Sequence, residues 1–170
     1  MSASKFTNVE LLNQLQAAFG EAVLEHNVAY DILNVYVPAD KAKEVVLWLK
    51  NNETLKLNYL TNIAGVHYPF NQGRELEVIY QLHSMVNNIR LRVKATLPIA
   101  NPEIETIVDI YAGANWMERE TYDFFGIIFK GHPNLKKILN EETQDYFPMR
   151  KEYPLEDQTR EDKDNRFFGR

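Results

Sequence analysis

Residues 76–97 constrain this chain most. Leu76, Val78, Tyr80 and Leu82 alternate with Glu77, Ile79, Gln81 and His83, and Ile89, Leu91, Val93, Ala95 and Leu97 alternate with Arg90, Arg92, Lys94 and Thr96. A period of two puts one set of side chains on one face of a strand and the other set on the opposite face. Two such segments joined by a short polar stretch predict an antiparallel hairpin with one buried and one wet face. Placing Asn87-Asn88 as a two-residue loop, a composition that tolerates positive φ, predicts the pairs Leu82–Val93, Tyr80–Ala95 and Val78–Leu97. Whatever else folds here must cover the apolar side of that hairpin.

The flanking segments supply candidates. Thr7 followed by Glu10 reads as a capping box, and Val9, Leu12, Leu15 or Gln16 and Phe19 follow at helical spacing up to Gly20, which predicts a helix over 8–19. A short strand is expected at 22–25. Leu33, Val35 and Val37 alternate within 31–37, a strand that Pro38 ends. Asp40 is positioned to cap the next helix, whose stripe is Ala42, Val45, Val46 and Leu49 and whose end is Asn51-Asn52. A strand around 57–64 is closed by Gly65 and Pro69. After the hairpin, Asn101-Pro102 is expected to open a helix with the stripe Ile104, Ile107, Val108 and Tyr111. Gly113 breaks it, and Asn115 is expected to cap a further helix ending near Gly126. The fold class is therefore α+β: a mixed or antiparallel sheet covered by helices on one face.

The character changes at Pro148. Between 148 and 170, six acidic residues face six basic ones, and Met149, Tyr153, Leu155, Phe167 and Phe168 are the only large apolar side chains. Such a segment buries too little to offset an ordering entropy of about 1–2 kcal/mol per residue. The expected division is a domain over 1–147 and a charged, extended C-terminal arm over 148–170.

Composition excludes several functions. With 19 Lys plus Arg against 24 Asp plus Glu the net charge is −5, which argues against broad nucleic-acid binding. The absence of cysteine removes disulfides and every thiolate-held iron–sulfur or zinc site from this chain. His26, His67, His83 and His132 lack metal-helix spacing, and no glycine-rich phosphate loop occurs. No segment reads as a signal peptide or a membrane span, so the expected address is the cytoplasm.

Chemistry is concentrated in Glu118-Arg119-Glu120-Thr121-Tyr122-Asp123, followed by Phe124-Phe125-Gly126-Ile127-Ile128-Phe129. On a helix Arg119 and Asp123 can pair at i, i+4, while Glu118, Tyr122 and Phe125 share another face. Three readings stand: acid–base catalysis by Glu118, Glu120 and His132, a solvated helix face beside a core strand, or charged groups held for a partner protein. Glu118 and Glu120 are two apart and point to different sides, which opposes their flanking one substrate atom. His132, in Gly131-His132-Pro133, is expected to fix a turn by imidazole hydrogen bonds. Arg90, Arg92 and Lys94 read either as a wet strand face or as a binding surface for an anion.

The run from Glu118 to Leu139 resembles the family of the 30 kDa subunit, also called the C subunit, of proton-pumping NADH:quinone oxidoreductase (respiratory complex I, NDH-1). The resemblance rests on Glu118-Arg119-Glu120, Asp123, two apolar residues, a spacer, His132, and then a basic residue with two apolar ones. Gly113-Ala114-Asn115-Trp116, the segment Asp31–Leu60 with Gly65-Val66-His67-Tyr68-Pro69, and Arg150-Lys151-Glu152-Tyr153-Pro154-Leu155 extend it to about 30–157. His67 stands where an acidic residue is more usual, and Phe147 where a histidine is common. The resemblance implies a chain without cofactor, in the hydrophilic arm against the D subunit and near the B subunit. FMN, iron–sulfur clusters and quinone would lie on partner subunits, and the complex would carry electrons from NADH to quinone and translocate protons. It implies partner-docking roles for Glu118, Arg119, Glu120, Tyr122, Asp123, Phe125, Gly126, Gly131, His132, Pro133, Arg150 and Tyr153, with no catalytic residue, at the cytoplasmic face of the cell membrane. The same motif would serve in a membrane-bound hydrogenase or a coenzyme F420-type or ferredoxin-linked dehydrogenase.

Overall fold

The structure is a computed structural model in which residues 6–154 are described. Helix α1 (Asn8–Phe19) leads to strand β1 (Glu25–Ala29), strand β2 (Ile32–Pro38) and helix α2 (Ala39–Asn51). Strands β3 (Tyr59–His67), β4 (Leu76–Ser84) and β5 (Ile89–Leu97) follow. Strand β6 (Glu103–Glu105), helix α3 (Ala114–Phe125) and strand β7 (Ile128–Lys130) complete the described order. The main sheet runs β1-β2-β5-β4-β3, and β6 pairs with β7 in a second, two-stranded sheet. Only β2 and β5 pair in parallel within the main sheet, so it is mixed, as the α+β expectation allows.

The core lies on one side of that sheet. Leu33, Val35, Val37, Leu91, Val93, Tyr80 and Val78 face it, and α1 and α2 cover them with Leu11, Leu15, Val45, Val46 and Leu49, all buried. The capping box forms: Thr7 N–H donates to Glu10 Oε2 at 2.8 Å, and Glu10 N–H donates to Thr7 Oγ1 at 3.3 Å. The opposite face carries Tyr36, Gln81, Arg90, Arg92 and Lys94, each at least partly exposed.

The hairpin forms with a different register. Leu82 pairs with Leu91, Tyr80 with Val93 and Val78 with Ala95, and Ser84 opposite Ile89 closes a four-residue loop. A shift of two residues keeps every side chain on its face, so alternation could not choose between the registers. The loop decides: Asn87 is buried and donates its side-chain amide to the Thr54 and Leu55 carbonyls, both at 2.9 Å.

Other expectations shift. The strand expected at 22–25 begins at Glu25, and Tyr30 and Asp31, with φ of 54° and 60°, form its two-residue turn. Asp40 does not cap α2; Pro38 is the N-cap, and Asp40 sits in the first turn, where a carboxylate complements the helix dipole. Strand β3 runs through Gly65, which serves close packing rather than a break. The helix expected from Pro102 to Tyr111 is absent. Residues 103–105 form β6 beside β7, with Ile104 opposite Phe129, and Ile128 N–H donates to Pro102 O at 2.8 Å. Ile107 and Ile110 are buried outside any helix or strand. The i, i+3, i+4, i+7 spacing is satisfied by chance of tertiary packing, because a strand partner further along the chain claims the backbone. Helix α3 starts at Ala114 with Gly113 as N-cap, so Asn115 lies inside it and does not cap it.

Candidate functional site

Helix α3 leans on strand β3 at the sheet edge, and a Cβ added to Gly65 would stand 2.5 Å from Phe125 Cδ2. Only a residue without a side chain lets the half-buried Phe125 ring seat there. The helix ends at Gly126 in the left-handed conformation, φ 74°, where an added Cβ would lie 2.4 Å from Phe147 Cε2. Phe147 thus packs on that glycine, and Tyr122 meets it edge-on at 6.4 Å.

Glu118 is fully buried. Thr106 Oγ1 donates to its Oε2 at 2.5 Å and Ile107 N–H to its Oε1 at 2.8 Å. Burial pushes its carboxyl up to about 7, against the pull of those two hydrogen bonds. The nearby Lys43–Asp109 ion pair, at 3.0 Å, contributes smaller opposing effects. Glu118 therefore ties α3 to the turn after β6.

Asp123 is also buried. Its Oδ2 accepts from the backbone N–H groups of Ile138, Leu139 and Asn140 at 2.9, 2.7 and 3.2 Å, and its Oδ1 accepts from Asn140 Nδ2 at 2.9 Å. Burial alone would raise its carboxyl, but these four donors outweigh it and hold the group below the usual carboxylate range. Arg119 does not pair with Asp123. It donates to the carbonyls of Lys136 and Lys137 at 3.0 and 3.3 Å, and its guanidinium stacks on Trp116 at 4.6 Å. The acid takes the amides and the guanidinium the carbonyls of one incoming segment, 136–140. A charged group facing unpaired backbone dipoles gains more there than in an exposed helical pair.

His132 fixes the turn after β7, as its position suggests. Asn134 N–H donates to Nδ1 at 3.0 Å, so Nε2 carries the proton and donates to Asn115 O at 3.1 Å. Gly131 adopts φ 80° there, and Pro133 is exposed beside it. Arg150 closes the C-terminal end of α3: its Nε donates to Phe125 O at 2.8 Å, and its guanidinium lies 4.7 Å from the Phe147 ring centre. Lys151 N–H donates to His67 Nδ1 at 2.9 Å, which explains how a buried histidine is accommodated at that position. Tyr153 is exposed, its ring 5.1 Å from that of Tyr146. The first residues of the expected arm thus fold back on α3 and β3; Leu155–Arg170 lie outside the described residues.

What remains outward is an apolar hollow of about 230 Å³ lined by Trp116, Met117, Ile138 and Leu139. Trp116 is 62% and Leu139 73% exposed. Glu120 stands at its rim, exposed, and its carboxylate makes no hydrogen bond or ion pair among the described residues. Sequence reasoning missed Ile138 and Leu139 as surface groups. The signal available was Trp116 at i−4 from Glu120, an aromatic on the polar side of an amphipathic helix. Among the described residues no group of three or more His, Asp or Glu side chains is placed to hold a metal ion, and no helix is long and apolar enough to cross a membrane.

Comparison with known proteins gives a consistent result. Residues 35–159 match the family model described as respiratory-chain NADH dehydrogenase, 30 kDa subunit. The C subunit of the NADH-quinone oxidoreductase of Mycobacterium tuberculosis H37Rv is 40% identical over 146 residues, 86% of this chain and 62% of that protein. The corresponding C subunit of Acidothermus cellulolyticus is 39% identical over 135 residues, 79% of this chain and 70% of its own length. The chain thus spans about 62% of the length of the mycobacterial relatives. A solved trypsin-resistant fragment of Nqo5 superposes with a TM-score of 0.60 at 28% identity, covering 76% of this chain and all of the fragment. A chain of the archaeal membrane-bound sulfane sulfur reductase, a respiratory membrane complex, superposes with a TM-score of 0.72 at 26% identity, covering 86% of this chain and 85% of its own. With a family model spanning most of the sequence and the fold of its solved relatives, this chain belongs to the 30 kDa subunit family of respiratory-chain NADH dehydrogenases.

Proposed function

We propose that this chain is a docking subunit of an NADH:quinone oxidoreductase complex, catalysing no step itself. FMN, iron–sulfur centres and quinone belong to other chains in this reading. The D subunit is the immediate partner, with the B subunit near it, and the complex carries electrons from NADH to quinone and translocates protons. The chain sits on the hydrophilic arm at the cytoplasmic face of the membrane.

The observation that carries the proposal is the exposed hollow of Trp116, Met117, Ile138 and Leu139 with the unpaired Glu120 carboxylate at its rim. An aromatic anchor beside aliphatic side chains and a free charge is the chemistry of an interface centre. The buried members of the motif hold that surface in shape. Glu118 fastens the inner side of α3, while Arg119 and Asp123 fasten the segment that presents Ile138 and Leu139. Tyr122, Phe125, Gly126, Arg150 and Tyr153 shape the far end of the helix, and Gly131, His132 and Pro133 the turn before the segment.

A free-standing acid–base enzyme fits the geometry poorly. Glu118 is enclosed with Thr106, both nitrogens of His132 are engaged by backbone, and Glu120 faces outward. The kindred reading is the equivalent subunit of another membrane-bound complex, a hydrogenase or a coenzyme F420-type or ferredoxin-linked dehydrogenase; the similarity to the sulfane sulfur reductase chain favours keeping it.

The test is Trp116→Ala combined with Glu120→Arg, with the amount of assembled complex and its quinone-reductase rate as readouts. Both should fall while the purified chain keeps its urea midpoint. Unchanged assembly and rate would contradict docking through this face.

A further inference from the structure

The uncovered face of the main sheet holds a second constellation that the α3 surface does not use. Arg90 and Arg92 lie two apart on β5, so their side chains project from the same face with about 7 Å between them along the strand. Arg90 makes no hydrogen bond or ion pair among the described residues, and Arg92 meets only Gln81, at 3.5 Å. The third cation of the row, Lys94, is already engaged: it pairs with Glu77 at 3.0 Å and reaches Tyr36 Oη at 3.2 Å. The row therefore keeps two uncompensated charges, in a chain whose net charge is −5.

His83 is the direct cross-strand neighbour of Arg90 and of Tyr59. Its Nε2 is buried without a hydrogen-bond partner among the described residues, a costly state for an imidazole nitrogen. Tyr59 stands edge-on to the ring at 6.5 Å. The β3–β4 register slips between Leu60 and Asn62, which leaves Thr61 as an extra residue at the strand edge. Tyr59, Thr61, Gln81, His83, Arg90 and Arg92 line one trough of about 330 Å³.

We infer that this trough on the open sheet face is a second docking site and that it takes an acidic, extended polypeptide segment of a partner chain. Carboxylates at alternate positions of an extended segment stand about 7 Å apart, the spacing of Arg90 and Arg92. Two guanidiniums bind two carboxylates as charge-assisted pairs, His83 supplies a further polar group, and Tyr59 offers a flat apolar wall. A duplex nucleic acid needs a longer cationic track than two arginines on an acidic protein. The assignment of the partner to the same assembly rests on the docking-subunit reading; the charge chemistry does not.

The test uses the full-length chain, isotope-labelled, titrated with a synthetic peptide of alternating Glu and Thr, its Gln-for-Glu counterpart, and inorganic tripolyphosphate. The Glu peptide should shift the His83, Arg90 and Arg92 side-chain resonances saturably, and the Gln peptide should not. Raising salt from about 50 to 300 mM should weaken the binding, and the double reversal Arg90→Glu with Arg92→Glu should weaken it at least tenfold. Trp116→Ala should leave it unchanged, so failure here is separable from failure of the α3 surface. No saturable shift at these three residues overturns the inference, as does equal binding of the reversed variant. Tighter binding of tripolyphosphate than of the peptide would also overturn it, by making the trough a phosphate site.

Discussion

Neutralising one buried carboxyl should flatten part of this protein's pH–stability curve. Glu118 is enclosed between Thr106 and Ile107, and its carboxyl holds its proton up to about 7, against an ordinary value of 4.5. Between those values the folded chain binds the proton and the unfolded chain has released it. Stability from this group is therefore complete below about 4.5 and falls as pH rises through about 7. The gap corresponds to about 3 kcal/mol, a sizeable part of a domain's stability. Glu118→Gln keeps an oxygen for Ile107 N–H and an amide for Thr106 Oγ1 but has no proton to lose. Urea unfolding of the full-length wild type and variant at intervals from about pH 4.5 to 8 is the assay. Every other titrating group is common to both curves, so their difference isolates Glu118. The variant should gain on the wild type by about 3 kcal/mol from the acid to the alkaline end. Parallel curves across the window would refute the claim that burial dominates at Glu118.

Four further outcomes are expected. Asp123→Ala leaves three backbone N–H groups of 138–140 without their acceptor and should cost about 2–4 kcal/mol in urea unfolding, so its effect on assembly comes through the fold as well as the surface. Because the folded Asp123 carboxyl is held low, the wild type should lose this contribution as pH falls below its ordinary value of 3.8, and Asp123→Asn should lack that acid-limb loss. Gly126→Ala must place a side chain at φ 74° and against Phe147; a loss of about 1–2 kcal/mol from the left-handed backbone should persist in a Phe147→Ala background, where the steric part is relieved. Trp116→Ala should shift the urea midpoint little, since most of the ring is already in water, and a large shift would show it to be a packing residue.

Legibility in the sequence followed the range of the interactions. Helix α1, with Thr7 and Glu10 at its start, and the stripe of α2 are local patterns and appear where the periodicity puts them. The hairpin strands were legible but their register was not, because sliding by two leaves each face unchanged and the deciding contact, Asn87 to the 54–55 carbonyls, is remote. Strand β1 carries no apolar alternation, being an exposed edge, and its turn uses Tyr30-Asp31 rather than glycine. The false helix at 102–111 shows the reverse failure, a helical spacing overruled by pairing with β7. In the candidate site the motif was readable as a family resemblance. Which charges turn inward was not: a buried Glu118 and an outward Glu120 differ only by the packing of α3.

The most direct test is affinity purification of the full-length chain from its own cells, with mass spectrometry of what accompanies it and a quinone-reductase assay of the eluate. The account predicts iron–sulfur and quinone-reductase subunits in fixed proportion with the wild type, and their loss with Trp116→Ala plus Glu120→Arg. A chain recovered alone, or one that keeps its partners with that surface altered, would contradict it.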